Sequence, residues 1–332
     1  MKIAIDVREF KKGKYTGLRS MLDAFLSNVG ETEDEFVLYC DRDTDIDALP
    51  LYMEKYLISS GSTFLWDQVF LPRGLKKKGA DVFFSPYIKT PFRRVCPYVN
   101  TVADTIPLET PKNKGLRAVL EKMHFLFFAH ICSRRSVRVM TISEASKKKI
   151  EKTLGLSGKK IDVIYPSVVS RGEGSVRGML EEPYILYLGN FKAHKNLDRL
   201  IEAYALFPAD VKSGFQLCLA GGEPDGIERL KSLVEEKGLS DRVLLRKGGM
   251  GAEEKAALIK NASLFVFPSL SEGFGIPPVE AMAAGIPVAV SGISPMTEVL
   301  GEAALFFDPE DPKDIAEKVL TLLEDKSLRG KM

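Results

Sequence analysis

Residues 268–290 read PSLSEGFGIPPVEAMAAGIPVAV. Two glycines and two prolines make SEGFGIPP a loop, EAMAA favours helix, Gly285 stops it, and IPVAV has the apolar run of a buried strand. One acid, Glu272, therefore sits on a glycine-rich loop, and a second, Glu280, in or near the first turn of the helix that follows. A helix start carries unpaired backbone N–H groups and a partial positive charge, the usual seat of a phosphate.

Strand-like and helix-like runs alternate outward from this block in both directions. KIAIDV, EFVLYC, DVFFSP, YVNTVAD, VRVMTIS and KIDVIYP read as strands in the first half. PYILYLG, QLCLAGG, RVLLRKG, LFVFPS, PVAVSG and AALFFDP do so in the second, with amphipathic stretches such as GLRSMLDAFLSNV and LDRLIEAYALF between. Such alternation predicts parallel sheets covered by helices. The 332 residues exceed what one core usually holds, so two domains are expected. Boundaries fall at 1–168 and 183–332, with the aperiodic segment 169–182 as linker. The fold class is α/β, with two doubly wound Rossmann-like domains facing across a cleft and ligands at the carboxyl ends of the strands.

The composition, 45% hydrophobic and 28% charged, is that of an ordinary globular chain. MKIAIDV is no secretory signal, and Cys40, Cys96, Cys132 and Cys218 lack metal or disulfide spacing, so a cytoplasmic setting is expected. The net charge of +2 conceals a balance of +8 in residues 1–170 and −6 in the remainder. A basic half suits an anionic partner such as a lipid surface or phosphorylated acceptor, or is simply solvated. GLRAVLEKMHFLFFAHICSRR (115–135) reads either as a membrane-surface helix or as core, and core is preferred. LAGGEPDG (219–226) lacks dinucleotide-binding spacing and reads as a turn beside a nucleotide. The loop DRDTDID contains two D-x-D patterns (Asp41, Asp43, Asp45, Asp47), taken as solvated acids rather than a metal site.

The second half resembles the nucleotide-binding domain of family 4 retaining glycosyltransferases of the GT-B class. YILYLGNFKAHKN (184–196), the LAGG turn and, above all, the E-x7-E pair Glu272 and Glu280 carry the likeness. KYTGL (14–18), LWDQVFLP (65–72), VADTIPL (102–108) and TISEASKK (141–148) extend it more loosely through the first half. The resemblance implies transfer of a hexosyl group, mannose-type favoured, from a nucleotide-sugar to a glycan or lipid-linked acceptor in polysaccharide biosynthesis. GDP-mannose is favoured over UDP-sugars as donor, without metal or other cofactor and without nucleic acid. Peripheral contact with an anionic inner membrane face is an added expectation. By resemblance Glu272 contacts the donor sugar, Glu280 the ribose hydroxyls and Lys195 the diphosphate. Gly17, Gly189, Gly273, Phe274, Gly275 and Ile276 line the donor pocket, Lys247 borders the base, and Asp104 joins Glu272 as a catalytic acid. Carboxylates suit sugar hydroxyls because they accept hydrogen bonds, while helix starts and a lysine can stabilise a leaving diphosphate.

The chain departs from these relatives at three places. Ala103 replaces the usual histidine of H-D-x-x-P. Arg19 stands at a glycine of T-G-I-G-R, where it either adds a phosphate contact or blocks close backbone approach. Asn190 takes the place of an arginine, whose charge Lys192 is expected to supply. The chain also ends at Met332, short of the crossover helix of its relatives. These departures keep open a degenerate, non-catalytic binding subunit as the alternative reading.

Overall fold

The computed structural model describes residues 1–13, 16–29, 32–109, 115–168, 180, 182–222, 224–248 and 250–331. The chain divides into two compact units, Met1–Ser167 and Val168–Met332. Residues 169–179 and 181 of the expected linker lie outside the described residues, as do Lys14, Tyr15 and Glu223 of the motifs above.

Unit 1 contains β1 (Lys2–Asp6), β2 (Glu35–Cys40), β3 (Glu54–Leu57), β4 (Val82–Ser85), β5 (Tyr98–Thr101), β6 (Arg138–Thr141) and β7 (Ile161–Val163). They form a seven-stranded sheet in the order β3-β2-β1-β4-β5-β6-β7. Unit 2 contains β8 (Tyr184–Gly189), β9 (Gln216–Gly221), β10 (Val243–Lys247), β11 (Leu264–Phe267), β12 (Val288–Ser291) and β13 (Leu305–Phe307). Their order is β10-β9-β8-β11-β12-β13. The named strand pairs are all parallel.

The second-half strands are all where the apolar runs put them, because helices cover both sheet faces and leave the inner strands buried throughout. The strand that the sequence reading omitted is β3, EKYL. It is short and mostly exposed at the sheet edge, held by its register against β2 rather than by any apolar run.

Each sheet reverses its winding beside its first strand, between β1 and β4 and between β8 and β11. The carboxyl ends of those strands are where doubly wound sheets bind ligands. Asp6 and Ser85 end β1 and β4; Gly189 and Phe267 end β8 and β11. The motif residues follow directly from those ends.

The helix Leu116–Arg135 corrects the expectation that segment 115–135 is core. Phe125, Ala129, Cys132 and Ser133 pack inward, but Leu116, Val119, Leu120, Met123 and Phe127 form an exposed stripe at helical spacing. Leu116 is 75% and Met123 61% exposed. Among the described residues no helix is long and apolar enough to cross a membrane. All four cysteines are free and buried.

Candidate active site

In unit 2 the 194–196 turn is fastened to the loop after β11. Leu270 N donates to His194 O at 2.8 Å, so the histidine braces the loop through its backbone. Asn196 adopts φ +60°, a left-handed conformation that asparagine tolerates, and its Nδ2 donates to Pro268 O at 3.1 Å and Pro309 O at 2.6 Å. This brings Lys195, just before the helix Leu197–Ala205, onto Glu272, and the two form an ion pair with each side chain only 10% exposed. Lys195 Nζ also stands 5.0 Å from the centroid of the Phe267 ring. Two residues separated by 77 positions are therefore in contact.

Gly273, Phe274 and Gly275 continue the loop into the helix Ile276–Ala283. Gly275 has φ +93°, which favours glycine, and a Cβ there would lie 2.3 Å from Met296 Cε and would have to displace the end of that side chain. Pro277 and Pro278 occupy the first helical turn, and neither proline contributes a backbone N–H to this helix start. The helix begins at Ile276 and carries no acid in its first turn, so Glu280, its fifth residue, lies near that turn rather than in it. Its carboxylate accepts from Lys255 Nζ at 2.6 Å, a partner on the neighbouring helix Ala252–Lys260.

Gly189 ends β8, and its carbonyl accepts from Gly222 N at 3.0 Å. Gly221 (φ +111°) lies so close that a Cβ would approach Gly189 O to 2.2 Å, which explains the LAGG turn. Asn190, where relatives have arginine, accepts the Tyr187 hydroxyl on its backbone carbonyl at 2.7 Å. Burial raises the pKa of that tyrosine well above the ordinary value, so it remains a neutral donor. Lys192 is half-buried beside it, its N–H 3.3 Å from Asn190 Oδ1. Lys247 is exposed at the end of β10, in register with Gly221.

In unit 1 a cavity of about 510 Å³ opens over the ends of β1, β4 and β5. Its floor is the Arg8 guanidinium, 2.6 Å from Asp6 and 2.8 Å from Asp67, and stacked 3.5 Å over the Trp66 ring. Burial opposes the arginine charge, but Asp6 and Asp67 more than offset this and raise its pKa above the ordinary value. Burial also raises the pKa of Asp67, against the pull of Arg8. Gln68 completes the WDQ motif by accepting Phe92 N–H at 2.7 Å. Glu9 accepts the Tyr87 hydroxyl at 3.2 Å and that of Thr16, the cap of the helix that Gly17 opens. Asp104 and Ala103 line the same cavity, and Asp104 Oδ1 accepts Ile106 N–H at 2.9 Å, so one acid oxygen also caps a short helix.

Arg19 is not free to contact phosphate. It is buried, donating to Lys11 O at 2.7 Å and standing 3.9 Å from Asp45. In the D-x-D loop Asp41 Oδ1 accepts from Asp43 N–H and the Thr44 hydroxyl, and the described residues hold no cluster of three or more potential metal ligands.

Residues 177–332 match the family described as Glycosyl transferases group 1. The second unit is a group 1 glycosyl transferase domain. The chain carrying this glycosyl transferase domain is similar to the serotype-specific mannosyltransferase WbdA of Escherichia coli, at 40% identity over 146 residues, 43% of this chain and 18% of WbdA. The O-antigen chain mannosyltransferase RfbU of Salmonella typhimurium is 32% identical over 213 residues, 64% of this chain and 57% of RfbU. The chain thus spans less than two thirds of either relative. The structure of Anabaena HepE in complex with UDP-glucose superposes with a TM-score of 0.74 at 18% identity, covering 99% of this chain and 91% of that one. Likeness over both units identifies the fold as GT-B.

Lys255, Asn196 and the Asp6–Arg8–Asp67 cluster are the residues that sequence reasoning missed. Asn196, just ahead of LDRL, carried a signal as a residue typical of helix starts. Lys255 carried none, because its partner lies 25 residues away.

Proposed function

We propose that this chain is a retaining glycosyltransferase that moves a mannose-type hexosyl group from a nucleoside diphosphate sugar to a hydroxyl of a glycan or lipid-linked acceptor. The Lys195–Glu272 contact at the mouth of β8 and β11 carries the reading. It joins a cation suited to a leaving diphosphate and a carboxylate suited to sugar hydroxyls, beside the backbone donors of 273–276. Likeness to two mannosyltransferases favours mannose, and GDP-mannose is the preferred donor. The UDP-glucose complex of HepE makes UDP-sugars the donors to compare. Glu280, held by Lys255, takes the ribose hydroxyls, and Gly189 and Lys247 border the nucleotide. The cavity of unit 1, with Asp104 and the carboxylates around Tyr87, takes the acceptor sugar. The exposed stripe of the helix Leu116–Arg135, flanked by Arg117 and Lys122, suits peripheral contact with an anionic bilayer.

The test is a nucleotide titration with and without ribose hydroxyls. Glu280→Ala costs about 1.5–3 kcal/mol of GDP or UDP affinity through the lost charged hydrogen bond, and leaves the 2′,3′-dideoxy nucleotide unaffected. Equal loss for both nucleotides rejects the ribose assignment. Transfer continues in EDTA, since backbone dipoles and Lys195 stand in for a cation; turnover lost in EDTA and restored by manganese rejects metal independence.

A further inference from the structure

Arg19 and the DRDTDID loop, two oddities of the first half, meet in one frame. Arg19 Nη1 holds Lys11 O, and its guanidinium stands 5.2 Å from the Phe10 ring centroid and 3.9 Å from the Asp45 carboxylate. Asp45 N donates to Phe10 O at 2.6 Å, and Lys11 and Thr44 form an isolated antiparallel bridge. The backbone of 10–12 is thereby clamped to that of 41–45 by a buried side chain.

This clamp has an electrostatic result. Asp41 is engaged within its own turn and Asp45 faces Arg19, so two acids of the loop are occupied inside the frame. Lys11, Lys12 and Arg42 form no ion pair among the described residues. They line, with Asp43 and Thr44, a second cavity of about 520 Å³. Lys11 lines both this cavity and the first one, and Asp41 of the first adjoins Arg42 of the second in sequence. The two compartments differ in charge balance. The first sets Glu9, Asp41, Asp67 and Asp104 against Arg8, Lys11 and Lys89, with Arg8 already paired to Asp6 and Asp67, whereas the second sets Lys11, Lys12 and Arg42 against Asp43 alone and has a surplus of cationic donors.

We propose that Lys11, Lys12 and Arg42 form a phosphate subsite, and that unit 1 selects an acceptor whose sugar ring bears a phosphate ester. The sugar occupies the carboxylate-lined cavity and its phosphate the cationic one. Arg19 acts as a positioning residue that presents Lys11 and Lys12 beside Arg42. The inference rests on the reading of the first, carboxylate-lined cavity as the acceptor site, and replaces a general glycan acceptor with a phosphorylated one.

The experiment titrates the full chain, its donor site saturated with GDP or UDP, with three probes: mannose 1-phosphate, methyl α-mannoside and inorganic phosphate. Binding is read by saturation-transfer NMR. Mannose 1-phosphate is expected to bind about tenfold more tightly than either other probe, and its advantage to shrink as salt rises. In Lys12→Gln/Arg42→Gln, both changes being at exposed positions, the affinity ratio of mannose 1-phosphate to methyl α-mannoside falls about tenfold. Arg19→Met lowers the same ratio, and Arg19→Lys restores part of it. Equal affinity for the two sugars in the parent, inorganic phosphate binding as well as the sugar phosphate, or a ratio unchanged in the double variant each overturn the proposal. Failure of the nucleotide to saturate is a separate result and counts against the glycosyltransferase reading itself.

Discussion

The Lys195–Glu272 pair can be weighed by removing its members singly and together. Both side chains are nine-tenths buried, so Lys195→Met leaves a carboxylate in a poorly solvated place, a loss of about 3–5 kcal/mol. Glu272→Gln keeps an acceptor for the lysine and removes only charge, costing about 1–3 kcal/mol. In the double variant neither charge remains, and destabilisation should fall below the sum by a coupling of about 1–3 kcal/mol. The chain supplies its own control, because its single tryptophan, Trp66, is buried in unit 1. Urea unfolding followed by tryptophan fluorescence reports unit 1, whereas circular dichroism reports both units. Each single variant should lower the midpoint of the second-unit transition and leave the tryptophan transition in place. Losses that add within about 0.3 kcal/mol would refute the reasoning, since the two charges would then not sense each other.

Gly275→Ala forces a methyl into Met296 at a positive φ and should cost about 2–4 kcal/mol in the same unfolding experiment; a midpoint within error of the parent contradicts the close approach. Ala103→His places an imidazole in the unit 1 cavity and should raise turnover, by up to about 10²-fold for a positioned acid–base group, with the nucleotide dissociation constant unchanged. A parent enzyme slowed by the histidine instead points to a cavity reshaped for another substrate. Burial pushes the thiols of Cys40 and Cys218 up to about 12 and that of Cys96 to about 11, and also raises that of Cys132. At pH 8 these thiols stay protonated, so an aromatic disulfide reagent should react slowly with the native chain and with four thiols after denaturation; fast native labelling argues against burial.

The sequence revealed most where side chains have one possible environment. Apolar runs such as LFVF and VAVS can only be inner strands of a covered sheet, and the loop SEGFGIPP announced its turn through glycine and proline. It was less informative where a partner from elsewhere decides. EKYL becomes a strand because β2 lies alongside it, and Glu280 finds its counter-ion on another helix. The segment 115–135 misled through composition: its helix has enough Phe and Leu for two faces, and only one of them is packed. Arg19 looked like an intrusion on a phosphate loop because the sequence could not show that its side chain folds beneath Lys11.

The winding order of the two sheets bears on synthesis. β1 is hydrogen-bonded to β2 on one side and β4 on the other, so the centre of the first sheet cannot close before residues 82–85 have left the ribosome. β8 likewise waits for β11 at residues 264–267. Each unit therefore spends the time needed to translate about 80 residues, several seconds at typical rates, with one edge of its first strand unpaired. Long-range parallel pairing is also slow to form once the chain is free. A pause in translation soon after β1 or β8 would lengthen that exposure, whereas one placed after β4 or β11 would let a closed sheet form before the next strands arrive.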